Sequence, residues 1–376
     1  MNLLLLSTLY IIGMLCTWYE LVKRKTPHFL IFIFIICFVL TAVSRIDNYF
    51  SYSDLGAYIY RFESGDDSYF GVGYRHLTYF AAQLFGTNSI LLLTLISAIN
   101  ILGVLLAVKI ISGNGIKFEK SMNIYRSIMG EMTKCRYLGT FLFIYAMYWG
   151  LSFSAEVIRT GLAITFSLLT IALLIKKKYL FAIIVYIVSI AFHWTEILLF
   201  PFLLIIVLSK NLKTSRFLYA IWLVILLFAD AVDFSSMFGH VVAIPLDWVL
   251  QKLSVSSHYS VYLTNGSRSS WFSYLSEQYI FYRFIGFALL FGDIKNKKYN
   301  LFTFGYYIGL SIFTLFSVLE FAVIRMQWIY LILVIYAIYY FIKDNKYYSN
   351  MVKGLVVMLY TLLQTIMAIL YLGYSF

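Results

Sequence analysis

Charged side chains are scarce in this sequence. Asp, Glu, Lys and Arg make up only 12% of the 376 residues, whereas 62% of the residues are hydrophobic. A water-soluble protein of this length cannot bury so much apolar surface, so the composition excludes a soluble globular fold. Apolar helices, in contrast, satisfy their backbone hydrogen bonds internally and can cross a bilayer. The composition therefore predicts an all-α, polytopic integral membrane protein.

The motifs of several enzyme classes are absent as well. The chain has no Walker-type phosphate loop, no nucleophile elbow and no His-Glu-x-x-His motif. Its three cysteines, Cys16, Cys37 and Cys135, are widely separated, and no other Cys or His stands at zinc-ligand spacing near His193. These absences exclude an ATP-driven machine and a serine hydrolase. We predict no cofactor and no metal, so an activated substrate or a gradient supplies the energy.

About twelve apolar segments are each long enough to cross a bilayer of roughly 30 Å. Twenty-one of the 29 Lys and Arg residues fall in short loops between alternate segments, which marks these loops as cytoplasmic. The net charge of +12 is thus mainly a topology signal and does not indicate a nucleic-acid partner. Twelve crossings place both termini outside, in a single transmembrane domain over residues 1–376. The predicted segments are 3–19, 28–44, 88–110, 137–152, 155–175, 179–194, 196–209, 217–229, 279–292, 300–319, 322–342 and 354–374.

The cations left on the outer side are almost all arginines. Seven of the 11 arginines lie there, but only one of the 18 lysines. Topology does not require this segregation, because Lys and Arg orient helices equally well. Phosphate binding favours it, since a guanidinium group donates to two oxygens at once. The outer arginines are Arg45, Arg61, Arg75, Arg159, Arg268, Arg283 and Arg325.

Two long outer segments, 45–87 and 230–278, interleave aromatic and charged residues. This composition suits an interfacial helix or a sugar-binding surface, in which rings stack on sugars and carboxylates accept hydroxyl hydrogen bonds. Ordinary aromatic belts explain any single Tyr or Trp equally well. From these segments and the adjoining helix ends we predict substrate-binding roles for Arg45, Asp54, Tyr58, Arg75, Glu156, Arg268, Arg283 and Glu320.

Three arginines are predicted to lie about one turn inside the membrane from its outer surface. A charge at that depth normally faces protein or a water-filled cavity, so we expect Arg159, Arg283 and Arg325 to converge on one cavity. Glu156 precedes Arg159 by three residues, a spacing that places both on one helix face. The alternatives are a structural Glu–Arg pair and arginines that snorkel to the membrane surface.

A predicted tight turn carries His193 and Glu196. A histidine can accept a proton near neutral pH, and a nearby carboxylate can orient its ring. A single histidine at a helix end is otherwise most often a structural residue. Together with the arginines, this turn yields the predicted catalytic set of His193, Glu196, Arg159 and Arg325.

Four short motifs follow one another along the chain. In this order and spacing they resemble the EpsG/Wzy-type polysaccharide polymerases of bacterial surface-glycan clusters. The resemblance covers most of residues 40–330 and is most specific over residues 155–200. The chain departs from the family at one point. The family often has Glu-Pro before the Gly-Tyr motif, and this pair is absent before Gly73-Tyr74. Only Asp66 or Asp67 could supply the missing carboxylate. The motifs are Asp54-x3-Tyr58 leading to Gly73-Tyr74, Arg159-x-Gly-Leu-Ala ending in Lys176-Lys177-Lys178, Phe192-His193-Trp194-Thr195, and Arg325 in the penultimate segment.

The resemblance implies a GT-C-like integral-membrane glycosyltransferase in the bacterial inner (cytoplasmic) membrane, with its active site facing the periplasm. It would join oligosaccharide repeat units carried on undecaprenyl pyrophosphate, as in O-antigen, lipopolysaccharide or exopolysaccharide synthesis. Membrane lipid and a chain-length regulator protein are the further partners implied. In such a site the arginines stabilise the pyrophosphate leaving group, and His193 or Glu196, with Asp54 behind them, takes the acceptor proton. A single displacement would invert the anomeric carbon without a metal.

Two other functions use the same outer residues. A flippase or transporter for a lipid-linked glycan also needs outer arginines, but it should carry charges in mid-membrane and broken helices on the inner half, where this sequence has almost no charge. An O-antigen ligase-like transferase would share the Arg and His chemistry, so the sequence leaves this alternative open. An acyltransferase fits less well, because its acyl-CoA donor would be cytoplasmic.

Overall fold

The computed structural model describes residues 2–48, 54–65, 71–112, 136–208, 214–232, 234, 271–316, 327–345 and 347–372. Helix makes up 88% of these residues and none of them forms a strand, which confirms the predicted all-α class. The chain divides into two compact units, Met1–Leu208 with Asn345–Phe376, and Ser209–Asp344.

The first unit contains nine helices of the N-terminal part and the last helix of the chain, within the described ranges. Short 3₁₀ segments, Ser44–Asn48 and Trp194–Leu199, follow the second helix and precede the ninth. The nine helices are α1 (Leu3–Lys23), α2 (His28–Val43), α3 (Asp54–Ser64), α4 (Val72–Phe85), α5 (Ser89–Ser112), α6 (Leu138–Ala155), α7 (Ile158–Ile175), α8 (Tyr179–Phe192) and α9 (Phe200–Leu208).

The second unit contains the next four helices of the described chain. These are α10 (Arg216–Ala231), α11 (Trp271–Leu289), α12 (Lys297–Phe316) and α13 (Val334–Asp344). The last helix, α14 (Asn350–Leu372), returns to the first unit.

Seven helices in the described ranges are long and apolar enough to cross a membrane. Each of the twelve predicted segments coincides with a helix for most of its length, because a long apolar run has no other way to satisfy its backbone in lipid. The total of about twelve crossings and the GT-C-like arrangement remain predictions. The seven are Leu3–Lys23, His28–Ile46, Ser89–Ser112, Leu138–Ala155, Ile158–Ile175, Gln327–Asp344 and Asn350–Leu370, and three shorter apolar helices are Tyr179–Phe192, Trp194–Leu208 and Ile280–Leu289.

Helix α6 lies at the centre of the first unit, with all 18 of its residues enclosed by protein. Its N-terminus is held by a carboxylate from α1. Glu20 Oε1 accepts the Gly139 N–H at 2.8 Å, and Glu20 Oε2 accepts the Thr140 N–H at 2.9 Å and the Thr140 hydroxyl at 2.8 Å. The first N–H groups of a helix lack partners within it, and its N-terminus attracts negative charge. Glu20 therefore fixes the start of α6 to α1.

Helix α6 does not continue into α7. The break between them lies at the end of α6 that the charges of the loops predict to be the outer end. Helix α6 ends at Ala155 and α7 begins at Ile158, so Glu156 and Val157 form a break, with Glu156 at φ −139° and ψ −64°. These angles are not helical. The prediction that Glu156 and Arg159 share one helix face is therefore wrong.

Helices α5, α6 and α7 approach closely just below this break. At Gly161 of α7, a Cβ would lie 2.3 Å from the carbonyl oxygen of Phe153, so only glycine permits this contact. Asn100 of α5 is fully buried; its amide donates to the Phe153 carbonyl at 3.3 Å and to the Ser154 hydroxyl at 3.1 Å, and it accepts from Thr165 at 3.0 Å. One buried amide thus joins three helices and stabilises the break.

Tyrosine hydroxyls join the helices of the second unit. Along α12, Tyr299, Tyr306 and Tyr307 donate to backbone carbonyls of α11, at Leu289 (2.7 Å), Tyr282 (2.9 Å) and Gly286 (3.0 Å) respectively. A buried tyrosine requires a partner for its hydroxyl. These aromatic residues hold two helices together, so part of the aromatic content serves packing.

The two predicted outer segments are described to different extents. Within 45–87, α3 and α4 are both too short to count among the candidate spans, and α3 buries Leu55, Tyr58, Ile59 and Phe62 on one face. This face packs against other helices of the first unit, and the interfacial position of the segment stays a prediction. Most of 230–278 lies outside the described residues.

Candidate functional site

An ion pair joins the 3₁₀ segment after α2 to the break between α6 and α7. Arg45 Nη2 lies 3.3 Å from Glu156 Oε2, and the two side chains are 4% and 22% exposed. Burial raises the pKa of Glu156; the positive charge of Arg45 opposes this rise, and the nearby Asp54 carboxylate adds to it. Two residues predicted to bind substrate thus contact each other, 111 positions apart in sequence.

Arg159, in the first turn of α7, is held by tyrosine. Its Nε donates to the Tyr58 hydroxyl at 3.0 Å, and its guanidinium carbon lies 5.5 Å from the centroid of the Tyr58 ring. The Tyr58 ring packs against Tyr74, with centroids 5.5 Å apart. Asp54 interacts electrostatically with both Arg159 and Glu156. Arg45, Asp54, Tyr58, Glu156 and Arg159 therefore belong to one cluster, named here the arginine cluster.

The Gly-Tyr motif at the start of α4 packs on the end of α8. A Cβ at Gly73 would lie 2.9 Å from the backbone carbon of Ala191 and 3.0 Å from the backbone nitrogen of Phe192. The side chains of Tyr58, Tyr74 and Phe192 share one apolar cluster. Three of the motifs that carry the family resemblance are thereby brought together at one end of the helices.

His193 follows α8 in extended backbone conformation, at φ −149° and ψ 116°. Its side chain is buried, 7% exposed, and its Nδ1 lies 2.5 Å from the Thr195 hydroxyl. That distance is a hydrogen bond whose direction depends on the histidine tautomer. Thr195, which sequence reasoning passed over except as part of a motif, therefore hydrogen-bonds the His193 ring and contributes to its orientation.

Glu196 lies deeper than His193. It is fully buried, and its carboxyl group is hydrogen-bonded to the Ser167 hydroxyl of α7. Ser167 is eight residues after Arg159 on the same helix, which corresponds to about 12 Å along the axis at 1.5 Å per residue. The structure thus gives His193 and Glu196 different hydrogen-bond partners. Ser167 and Ser189 were missed from the sequence, because a hydroxyl residue inside an apolar segment does not by itself indicate a site.

The other predicted site residues are exposed, belong to the second unit or lie outside the described ranges, and the convergence of Arg283 on Arg159 stays a prediction. Arg283 belongs to the second unit, where its Nη2 lies 2.8 Å from Asp230 Oδ2 and also hydrogen-bonds Thr314. Arg75 is exposed on α4. Arg268, Glu320 and Arg325 fall outside the described residues, so the convergence of Arg325 with Arg159 stays a prediction. Within the described ranges, no group of three or more His, Cys, Asp or Glu residues could hold a metal ion.

Fold and site together define a polytopic, all-helical membrane protein with buried arginine, carboxylate and histidine side chains at one end of its helices. The chain belongs to the EpsG family, whose family model matches residues 28–376. This membership indicates a membrane protein of the polysaccharide-polymerase type. No curated protein and no solved structure matches the chain.

Proposed function

We propose that this protein is an integral-membrane glycosyltransferase that polymerises oligosaccharide repeat units carried on undecaprenyl pyrophosphate, at the periplasmic face of the bacterial inner membrane. The observation that carries the proposal is the setting of Arg159. Its Nε donates to the Tyr58 hydroxyl, and this contact orients the guanidinium group. A half-buried guanidinium group oriented in this way suits a pyrophosphate leaving group.

The two arginines of the cluster have different roles in this proposal. Arg45 is balanced by Glu156 at 3.3 Å, so this pair holds the 3₁₀ segment after α2 against the break before α7. Arg159 binds the pyrophosphate oxygens. Negative charge grows on these oxygens as the sugar–phosphate bond breaks, and a fixed cation stabilises the transition state more than the ground state.

His193 is the proposed base. The acceptor hydroxyl oxygen attacks the anomeric carbon, the bond from that carbon to the pyrophosphate breaks, and the hydroxyl proton moves to His193. This role requires Nδ1–H to donate to Thr195, 2.5 Å away, because Nε2 then carries the lone pair that accepts the proton. A single displacement inverts the anomeric carbon, and the Arg159 guanidinium group binds the leaving group, as a metal does in other transferases.

Deletion of the gene tests the proposed function. A strain without this protein should display one repeat unit on its lipid acceptor, because export and attachment continue while polymerisation stops. Polymer that accumulates unattached would indicate a ligase instead, and loss of all exported glycan would indicate a flippase. The measurement is a gel ladder of surface glycan, with the intact gene restored on a plasmid as the control.

His193→Ala tests the assignment of the base in purified protein. Binding of lipid-linked donor should persist while turnover falls by at least about a hundredfold, the usual contribution of a general base. Turnover close to that of the wild type would remove His193 from catalysis and leave Asp54 as the next candidate.

A further inference from the structure

A chain of hydrogen bonds runs through the buried contact between α7, α8 and the 3₁₀ segment that follows His193. The Ser189 hydroxyl lies 2.7 Å from the carbonyl oxygen of Ala163 and 2.9 Å from the Ser167 hydroxyl, and the Ser167 hydroxyl contacts the Glu196 carboxyl group. Ser167, Ser189 and Glu196 are 3%, 0% and 0% exposed. Neither serine was part of the predicted site.

We propose that Glu196 is held as a neutral carboxylic acid and acts as a positioning residue for the turn that carries His193. The positioning part rests on the proposed function of His193 as the base. The protonation of Glu196 is inferred from the geometry of these hydrogen bonds and does not depend on that function.

The number of hydrogens available in this series of hydrogen bonds shows that the Glu196 carboxyl group carries a proton. A carbonyl oxygen only accepts, so the single hydroxyl hydrogen of Ser189 points to Ala163. The bond between Ser167 and Ser189 then takes the hydrogen of Ser167. The bond between Ser167 and Glu196 is left with one source of hydrogen, the carboxyl group itself. An ionised Glu196 would take the hydrogen of Ser167 and leave two serine oxygens 2.9 Å apart without a hydrogen between them.

The surroundings of the carboxyl group support the same assignment. Among the residues that the structure describes, the second oxygen, Glu196 Oε1, has no hydrogen-bond partner although it is buried. A buried carboxylate without a paired charge is strongly disfavoured, and such a group takes up a proton instead. Glu156 shows the contrast, since it is matched by Arg45 at 3.3 Å.

The position of Glu196 in the chain connects it to His193. Its backbone N–H donates to the His193 carbonyl at 3.2 Å, and its backbone carbonyl accepts from the Tyr186 hydroxyl of α8 at 2.9 Å. Side chain and backbone of Glu196 therefore attach the turn to α7 and to α8. Thr195, which hydrogen-bonds the His193 ring, lies within this anchored turn.

Infrared spectroscopy of the purified protein near neutral pH tests the protonation. The wild type should show a carboxylic-acid C=O band that Glu196→Gln lacks. Glu63→Gln is the matched control, because Glu63 also bonds a serine hydroxyl, that of Ser89 at 2.5 Å, but is exposed to water; its spectrum should keep the band. If the wild type and Glu196→Gln have the same acid band, Glu196 is ionised and the proposal fails, whatever the protein synthesises.

Turnover of Gln and Ala variants tests the positioning role. A glutamine amide donates to Ser167 as the acid does, so Glu196→Gln should keep turnover within about threefold of the wild type, whereas Glu196→Ala and Ser167→Ala should lose at least about tenfold with donor binding unchanged. Glu196→Gln as inactive as Glu196→Ala would show that the negative charge is needed and overturn the proposal. Full turnover in Glu196→Ala, or loss of donor binding together with turnover, would overturn the positioning role.

Discussion

The two arginines of the arginine cluster differ in the groups that they contact. Arg45 faces a carboxylate, which balances its charge, whereas Arg159 donates to a phenol. A guanidinium group and an ammonium group carry the same charge but differ in shape, because only the former donates along two parallel directions. Substitutions that conserve charge therefore distinguish binding by shape from attraction by charge alone.

Arg159→Lys should abolish long polymer, with at least about a tenfold loss of turnover, because lysine keeps the charge but cannot bind two pyrophosphate oxygens at once. The measurement is a glycan ladder beside an immunoblot for protein amount. Arg136→Lys, at an exposed arginine before α6, is the control and should give a normal ladder. A full-length ladder from Arg159→Lys would contradict the pyrophosphate role.

Tyr58→Phe removes the acceptor of the Arg159 hydrogen bond but keeps the ring. A hydrogen bond to a charged group contributes about 1.5–3 kcal/mol, so turnover should fall by about 10- to 100-fold. Tyr60→Phe is the matched control on the same helix, since the Tyr60 side chain is 73% exposed. Equal activity of the two variants would mean that Tyr58 does not orient Arg159 during the reaction.

At the scale of helices, sequence periodicity and apolar length predicted where the helices lie. They predicted a break between the segments 137–152 and 155–175 but did not place it at Glu156, because the residues on both sides of Glu156 are apolar and the spacing of Glu156 and Arg159 also fits a helix. The break is stabilised by partners remote in sequence: Arg45, which pairs with Glu156, and Asn100, which bonds Phe153 and Ser154. Such partners are fixed only by tertiary packing, so the pairings of the site could not be derived from local pattern.

Contact between α4 and α8 aligns two parts of the site, and it depends on glycine. Gly73→Ala should destabilise the protein by about 1–3 kcal/mol, the usual cost of an added methyl group in a packed interior, because its Cβ meets backbone atoms of Ala191 and Phe192. The check is the thermal unfolding midpoint in detergent, together with the glycan ladder. Gly354→Ala is the control, since its nearest contact is a leucine methyl at 3.3 Å. An unchanged midpoint for Gly73→Ala would contradict the close contact.

At the scale of the whole molecule, the described cluster and His193 lie in the first unit, and that unit is completed by the end of the chain. Helix α14 packs on α6, where Trp149 Nε1 lies 3.4 Å from the Tyr360 hydroxyl. The family match, in contrast, extends over both units. The second unit is therefore an insertion in sequence between two parts of the first unit, and the first unit combines α1–α9 with α14.

Labelling of single cysteines tests the orientation on which the proposed function depends. In a protein without its native cysteines, Tyr60→Cys should react with a membrane-impermeant thiol reagent in cells whose outer membrane alone is permeabilised. Lys178→Cys, an exposed position at the opposite end of the helices, should react only after the inner membrane is opened. The reverse pattern would place the arginine cluster in the cytoplasm and remove the periplasmic mechanism.

The carboxylate that caps α6 also sets an order of events during biosynthesis. Glu20 belongs to α1, while its partners Gly139 and Thr140 are synthesised about 120 residues later. Until then the Glu20 carboxylate lacks these partners, and a charged group without a partner is stable only where water solvates it. Arrival of α6 removes that water and buries Glu20 to 2% exposure. The packing of α1 therefore cannot be completed before α6 has been synthesised, because the groups that bury the Glu20 carboxylate belong to α6.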